Sequence, residues 1–185
     1  MIERLRTADG WVVETRPLAE LRGVIEALHY SRSCANTAVA RHGLISPEGD
    51  LVGAALWMPP TKNAARTVSE EWTSVICLSR LVVAPCVPPN GASFLLGRSM
   101  RQLDGRWKWA LTYADTAEGH TGAIYRATNW HEVGSVPAGD VWVHVETGEQ
   151  RGRKRGPRNL SATEMAEAGF VRKPTAPKIK FVRRL

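Results

Sequence analysis

The stretch LSRLVVAPCVPPNGASFLLGRSMRQL, residues 78–103, decides the fold, because a strand pattern gives way to a helix pattern across a proline-rich loop. The apolar run Leu81-Val82-Val83 ends a segment from Ser74 to Ala84 that is typical of a strand covered on both faces. Three prolines then exclude further strand. Asn90-Gly91-Ala92-Ser93 opens a helix, since apolar residues recur along one face after it, at Leu96, Met100 and Leu103.

Further elements extend in both directions from this unit. Turn residues and apolar periodicity predict the following segments: a strand over Trp11–Thr15, a helix from Pro17 to His29, a strand pair over Ala38–Ser46 and Leu51–Met58, a strand over Trp107–Tyr113, a helix over His120–Asn129, and short strands over Val141–Val145 and Ile179–Val182. Strands and helices in this order predict an α+β or α/β fold, a mixed sheet with helices on both faces. We expect one domain, residues 1–185, with a basic C-terminal segment, residues 151–185.

The loop after the central strand is a candidate anion site. Asn90, Gly91 and Ser93 lie where backbone amides of a first helical turn, with the serine hydroxyl, can bind a phosphate. The alternative is that Asn90 or Gly91 simply caps the helix. Arg80, a charged residue inside an apolar strand, is expected to face a cleft or pair with an anion, although a surface position is the alternative.

The densest group of polar and aromatic residues begins at the end of the next strand. The segment is Thr112-Tyr113-Ala114-Asp115, and Asp115 lies at the end of a buried strand, where sheets of this kind place ligands. Tyr125 and Trp130 offer aromatic faces for a base, and Asp115 or His120 can handle a proton. The alternative makes Asp115 a helix cap and Tyr125 a core residue.

A second candidate lies at the end of the first helix. His29 can be a base or a metal ligand, and Ser31 or Ser33 can orient it. The alternative is a favourable interaction of His29 with the helix dipole. The five histidines and three cysteines do not show the spacing of a structural zinc site.

Positive charge is concentrated at the C-terminal end. Of 25 basic and 18 acidic residues, 11 and two lie in residues 151–185, which leaves 14 and 16 in the rest of the chain. A basic block of this kind is typical of polyanion binding, because cations that neutralise phosphates release counterions. We therefore expect DNA contact through Arg151, Arg153, Lys154, Arg155 and Arg158; the alternative is a solvated tail.

The remaining composition narrows the cellular setting. An odd number of cysteines without a CxxC pair does not favour a disulfide framework. The sequence contains neither an apolar run long enough to cross a membrane nor a secretory signal pattern at its start. We expect a cytoplasmic protein, with its oligomeric state left open, a dimer included.

Taken together, these segments resemble the Mom family of phage proteins that modify adenine in DNA. The resemblance covers roughly residues 10 to 135 and is most specific between Tyr113 and Trp130. It rests on His29-Tyr30-Ser31, Leu78-Ser79-Arg80-Leu81-Val82-Val83, Asn90-Gly91-Ala92-Ser93, Tyr113-Ala114-Asp115, Gly119-His120-Thr121-Gly122 and Ile124-Tyr125-Arg126-Ala127-Thr128-Asn129-Trp130.

The resemblance implies a fold, a reaction and a set of residues. It implies a GNAT-like (acetyltransferase) fold and conversion of adenine in double-stranded DNA to N6-(methylcarbamoyl)adenine, which protects phage DNA from host restriction. It implies acetyl-CoA or a related acyl donor, and iron. By position, Arg80 and Ser93 resemble donor-binding residues, and His29, Tyr30, Asp115 and Tyr125 resemble catalytic or metal-binding residues. The proline-rich loop, Pro85–Ser93, departs from the glycine-rich phosphate loop of most acetyltransferases.

Two further hypotheses remain at this stage. One is an ordinary CoA-dependent N-acetyltransferase that acts on a small amine or a protein. The other is a non-catalytic DNA-binding module that has kept the fold.

Overall fold

The structure, a computed structural model, describes residues 9–30, 37–137, 139–151, 153–155 and 158–185. Its strands are β1 (Val12–Thr15), β2 (Ala40–Ile45), β3 (Leu51–Met58), β4 (Val75–Val83), β5 (Trp109–Asp115), β6 (His131–Val136), β7 (Asp140–His144), β8 (Gln150–Arg151), β9 (Lys154–Arg155), β10 (Arg158–Asn159), β11 (Phe170–Pro174) and β12 (Lys178–Arg184). Its helices are α1 (Leu18–Leu28), α2 (Lys62–Arg66), α3 (Gly91–Arg101), α4 (Ala123–Ala127) and α5 (Ala162–Glu167).

A seven-stranded sheet in the order β1-β2-β3-β4-β5-β12-β6 forms the centre of the fold. The pair β4–β5 is parallel and the other neighbouring pairs are antiparallel. The predicted mixed sheet is therefore confirmed. The last strand of the chain, β12, lies between β5 and β6, so that β6 forms one edge of the sheet.

Helices cover both faces of this sheet, as the alternation along β3 shows. Ala54 and Leu56 pack under α1 with Leu21 and Ile25, whereas Trp57 belongs to the large core that includes α3. Successive residues of a strand point to opposite faces, so α1 and α3 lie on opposite sides of the sheet. Each helix buries one apolar face.

The helix predicted from His120 begins later and is shorter than expected. α4 covers only Ala123–Ala127. Gly119 and Gly122 both have positive φ angles, 71° and 80°, a conformation that excludes a continuous right-handed helix through them.

A buried polar group links the sheet to α3. The indole Nε1 of Trp57 donates to the Ser99 oxygen at 2.6 Å, and His42 Nδ1 lies 2.7 Å from the same oxygen. His42 is 2% exposed, and burial lowers its pKa to about 4. Because the serine oxygen already accepts from Trp57, its own proton can be donated to a neutral His42 ring.

This group makes a prediction about acid stability. The folded pKa of His42 lies below its ordinary value of 6.5, so protonation favours the unfolded chain. We expect its contribution to be intact above pH 6.5 and to fall by about 3 kcal/mol by pH 4. Urea unfolding at pH 7 and pH 4 measures the loss. His42→Asn, which keeps a polar atom toward Ser99 and does not titrate, should lose less stability over this range, and an equal loss in both proteins would contradict the assignment.

Residues 139–174 form a second small unit, which we call the accessory module. Three strands pair in the order β11-β7-β8, and α5 packs on them through Met165. Leu160, Met165 and Phe170, with Trp142 against them, form a hydrophobic cluster of their own. The predicted strand over Val141–Val145 corresponds to β7, whereas β8 to β11 and α5 were not predicted. Across the described residues, no helix has the length and apolar character that a membrane span requires.

Candidate active site

The site lies where two parallel strands separate. β4 and β5 pair only over Val75–Cys77 and Trp109–Leu111. From Thr112 onward β5 is paired with β12 but no longer with β4, and the Thr112 hydroxyl donates to the carbonyl of Leu78 across the gap at 3.1 Å. The two strand ends therefore leave an opening between them, and the candidate residues are found around it.

The end of α1 supplies two stacked rings. The rings of His29 and Tyr30 lie 4.4 Å apart, and the edge of His120 approaches Tyr30 at 5.6 Å. Burial, then the positive charge of Arg80, lowers the pKa of His29 to about 4. The imidazole is consequently neutral at pH 7. Ser31 and Ser33, which were expected to orient His29, lie outside the described residues.

Asp115, the last residue of β5, interacts with Tyr30 and with Lys178 on β12. Its carboxylate accepts a hydrogen bond from Lys178 Nζ at 2.7 Å and one from the amide of Ala117 at 3.2 Å. Burial opposes its ionisation, but the bond and charge of Lys178 outweigh this effect and hold the pKa of Asp115 below its usual value. Burial and the nearby Asp115 raise the pKa of Tyr30. Asp115 is thus paired with Lys178 and lies close enough to Tyr30 to act on its hydroxyl.

Arg80 follows a β-bulge in β4. The pairing with β3 shifts between Leu56 and Trp57, which leaves Ser79 as the extra residue. The Ser79 hydroxyl donates to the carbonyl of Leu56 at 3.1 Å, and Arg80 Nη1 donates to the Ser79 carbonyl at 2.6 Å. The bulge re-aims the strand at this point, and Arg80 is close enough to influence the pKa of His29.

Tyr125 reaches the gap from α4. Its hydroxyl lies 3.4 Å from that of Thr112. Burial raises its pKa, so it is a neutral hydrogen-bond donor at pH 7. Cys77 lies at the same point, but burial raises the pKa of its thiol to about 12, which excludes a thiolate nucleophile there.

One expected aromatic surface is absent. Trp130 is 4% exposed and stacks on Trp57 in the core, with ring centroids 6.4 Å apart. It therefore cannot offer its face to a DNA base. Tyr125 lies with its ring centroid 5.8 Å from that of Trp130 and is half-buried.

The loop that precedes α3 uses several of its donors internally. The Gly91 amide donates to the Pro88 carbonyl and the Ser93 hydroxyl to the Asn90 carbonyl, both at 2.8 Å. Asn90 precedes the helix without a side-chain cap bond. The amides of residues 92 and 93 belong to the first helical turn, where the helix itself offers them no acceptor. Donor binding by Asn90, Gly91 and Ser93 stays a prediction.

The predicted DNA-binding residues lie in the accessory module. Arg151 places its guanidinium 5.0 Å from the centre of the Phe170 ring, Arg158 forms an ion pair with Glu164 at 2.8 Å, and Arg153 is exposed. The side chains of Lys154 and Arg155 lie outside the described part of the structure. The segment is folded around a core of its own rather than extended as a tail.

Metal binding by His29 and Tyr30 has no support in the arrangement of ligands. Within the described ranges, no group of three or more His, Cys, Asp or Glu residues could hold a metal ion. We therefore derive no step through iron.

Lys178 is the site residue that the sequence did not predict. It lies 63 positions after Asp115 and reaches it only because β12 pairs antiparallel with β5, with Lys178 opposite Asp115. Lys178 lies in a segment rich in basic residues, so nothing in the neighbouring sequence indicates that it pairs with Asp115. Only the pairing of the two strands could have revealed it.

Comparison with known proteins gives one family and one fold. The model of the Mom protein family matches residues 10–181. The methylcarbamoylase Mom of Escherichia phage Mu is 25% identical over 166 residues, which cover 83% of this chain and 65% of that protein. The chain thus spans about two-thirds of the length of this relative.

Solved acetyltransferase structures share the fold. A Bacillus subtilis acetyltransferase in complex with CoA is similar with a TM-score of 0.56 and 5% identity, over 95% of this chain and 97% of that one. A GNAT family acetyltransferase from Elizabethkingia anophelis with acetyl-CoA bound gives 0.53 and 8%, over 96% and 99%. At such low identity these likenesses describe the fold alone.

Proposed function

The chain belongs to the Mom protein family, and from this premise we propose that it is a transferase that modifies the N6 amino group of adenine in DNA. The product would be N6-(methylcarbamoyl)adenine, which protects phage DNA from host restriction. The observation that carries the proposal is the Lys178–Asp115 ion pair at the strand end beside the gap between β4 and β5, close enough to Tyr30 to raise the pKa of its hydroxyl. Charged and aromatic side chains meet there at one end of the central sheet. Solved acetyltransferase structures have the same fold.

The residues around the gap suit attack by a weak nucleophile. The lone pair of the adenine amine is delocalised into the ring, so the amine must be held in place and must lose a proton as the new bond forms. Asp115, kept charged by Lys178, accepts a hydrogen bond from the amine and orients it. His29, neutral at pH 7, takes the proton. Tyr125 donates a hydrogen bond to the carbonyl oxygen that develops negative charge.

A relative of acetyl-CoA whose acyl group is methylcarbamoyl would supply the carbonyl carbon: the N6–C bond would form as the C–S bond of the donor breaks, and the thiolate would leave as the free thiol. Acetyl-CoA itself would leave an acetyl group on N6 by the same step. We assign the acyl end of such a donor to the place where β4 and β5 are no longer paired, and its phosphates to the amides of the first turn of α3. The Gly91 amide and the Ser93 hydroxyl already donate hydrogen bonds within the loop. We therefore assign binding of the negatively charged acyl donor to Arg80, which follows the bulge in β4.

The target amine lies inside a stacked duplex, so the adenine must leave the stack before it reacts. We assign contact with the DNA backbone to the basic residues of the accessory module, Arg151, Arg153 and Arg158 among them. Such contact predicts affinity that falls as salt rises.

Nucleoside mass spectrometry of plasmid DNA from cells that express the protein tests the proposal. We expect a mass-shifted adenine, and we expect Tyr125→Phe to reduce it by about tenfold or more, because the variant loses only the donating hydroxyl. Tyr113→Phe is the matched control. Tyr113 lies near the end of β5, but its side chain packs with the cluster of Val75 and Leu111 on the other face of the sheet.

Other outcomes would favour other functions. Unchanged DNA together with acetylated small amines or proteins would support an ordinary N-acetyltransferase. Unchanged DNA with retained DNA binding and no transfer would support a non-catalytic module. Equal loss of modification in the Tyr113 and Tyr125 variants would remove Tyr125 from the mechanism.

A further inference from the structure

A cavity of about 490 Å³ opens on the accessory module. Its volume falls within the range of small-ligand sites, roughly 300–1,000 Å³. Among its described lining residues are three arginines and one aspartate, namely Arg151, Arg153, Arg172 and Asp140, together with the indole of Trp142. The described charges of the wall therefore attract an anion.

Three of these side chains form a row across the small sheet. Trp142 on β7 is directly opposite Arg172 on β11 and directly opposite Arg151 on β8. Residues directly opposite each other in antiparallel strands point to the same face. An indole between two guanidinium groups thus forms one wall of the cavity, and Arg153 adds a third cation from the next turn of the chain.

Only part of this positive charge is neutralised within the module. Arg172 forms an ion pair with Asp140, and Arg151 rests over the Phe170 ring, which leaves its charge intact. Arg153 is exposed. One carboxylate faces three guanidinium groups, an arrangement that suits a phosphodiester with a planar group beside it.

The accessory module is attached at the catalytic end of the large sheet. The chain enters it after β6 and leaves it before β12, and Lys178, at the start of β12, is opposite both Val136 and Asp115. Thr116, next to Asp115, donates its hydroxyl proton to the Pro177 carbonyl at 2.6 Å. The two strands that flank the module in sequence, β6 and β12, are therefore paired with each other, and β12 is paired with the strand that ends at Asp115.

We propose that this cavity binds one nucleotide of an unpaired DNA strand, with its phosphodiester on Arg151, Arg153 and Arg172 and its base against Trp142. The inference rests on the proposed action on DNA. Extrusion of the target adenine opens the duplex, and an unstacked base can pack on an indole face. The cavity would hold the opened strand near the carboxylate that acts on it.

Fluorescence anisotropy with a labelled single-stranded oligonucleotide, and with the same sequence as a duplex, tests the proposal on the full chain. We expect Arg172→Gln to weaken single-strand binding about tenfold and to lower the salt dependence of binding by roughly one phosphate contact. Lys173→Gln is the matched control, since it removes the same charge from the next residue of β11, on the other face of the strand. We expect a change of less than about twofold for this control and a smaller loss for the duplex in both variants.

A second variant is expected to strengthen single-strand binding rather than weaken it. Asp140→Asn frees Arg172 and removes the carboxylate that the described residues contribute to the cavity wall, so we expect tighter single-strand binding. Glu146→Gln, an exposed acid in the turn after β7, controls for the change in net charge. Thermal unfolding by circular dichroism verifies that each variant is folded.

The outcomes separate this inference from the proposed function. If the wild-type protein yields modified adenine but Arg172→Gln and Lys173→Gln bind DNA equally, the cavity assignment is wrong and the function stands. If no adenine is modified but the cavity variants shift single-strand binding as expected, the function is wrong and the cavity stands. An equal loss of affinity for the single strand and for the duplex would contradict the proposal that the cavity binds an unpaired nucleotide.

Discussion

We expect Asp115→Asn to lower the rate of adenine modification by about a hundredfold or more. The Asp115 side chain is 13% exposed and accepts hydrogen bonds from Lys178 and from the amide of Ala117. Asparagine keeps this shape but removes the charge that orients the adenine amine and holds Tyr30. Timed nucleoside mass spectrometry with purified protein measures the rate, and the unfolding temperature verifies that the fold is kept.

Lys178→Gln gives the matched test of why the carboxylate works. Without the bond and charge of Lys178, the pKa of Asp115 rises, because partial burial is then opposed only by the amide of Ala117 and the nearby His120. The carboxylate remains ionised at pH 8, so we expect only a few-fold loss there. The loss should grow as the pH falls toward 5, since more of the variant carries a proton on Asp115. A loss that is the same at both pH values would show that Lys178 acts on the fold rather than on Asp115.

Local patterns predicted the part of the fold that short-range physics controls. The strand from Ser74 to Ala84 and the helix after Asn90 are confirmed as β4 and α3, because an apolar run and a helical repeat need no partner to be recognised. The mixed sheet followed from the order of such elements. That Arg80 faces a cleft stays a prediction, although it lies close enough to His29 to lower the pKa of that ring.

Long-range pairing explains what the sequence did not reveal. Nothing near Lys178 indicates that β12 is inserted between β5 and β6, yet that insertion creates the pair with Asp115. Trp130 shows the converse: its neighbours suggested a binding surface, but packing on Trp57 places it in the core. The strands β8 to β10, of two residues each, were too short for a periodic signal. β11 continues from Phe170 into two basic residues and a proline, which do not form a strand pattern.

The largest effect on stability is expected at the start of α4. Gly122 has a φ of 80°, and a Cβ atom there would lie far inside van der Waals contact with the ring of Phe181. Phe181 is fully buried and packs on Tyr125, with ring centroids 5.2 Å apart, so the ring has little room to move. Left-handed backbone costs about 1–2 kcal/mol for a residue with a Cβ atom, and overpacking adds about 1–3 kcal/mol. We therefore expect Gly122→Ala to lower the free energy of unfolding by about 3 kcal/mol, as measured by urea denaturation.

Gly119→Ala separates the two causes. Gly119 has a similar φ of 71°, but a Cβ atom added there would meet no described atom within 4 Å, so only the backbone cost of about 1 kcal/mol applies. Phe181→Leu in the Gly122→Ala background should recover part of the loss, because the smaller side chain makes room for the methyl group, and the double variant should then be more stable than the two single losses predict. Additive losses would show that Phe181 does not oppose the methyl group. Modification activity should fall with Gly122→Ala more than with Gly119→Ala at temperatures where both are folded, since the displaced ring supports Tyr125 at the gap between β4 and β5.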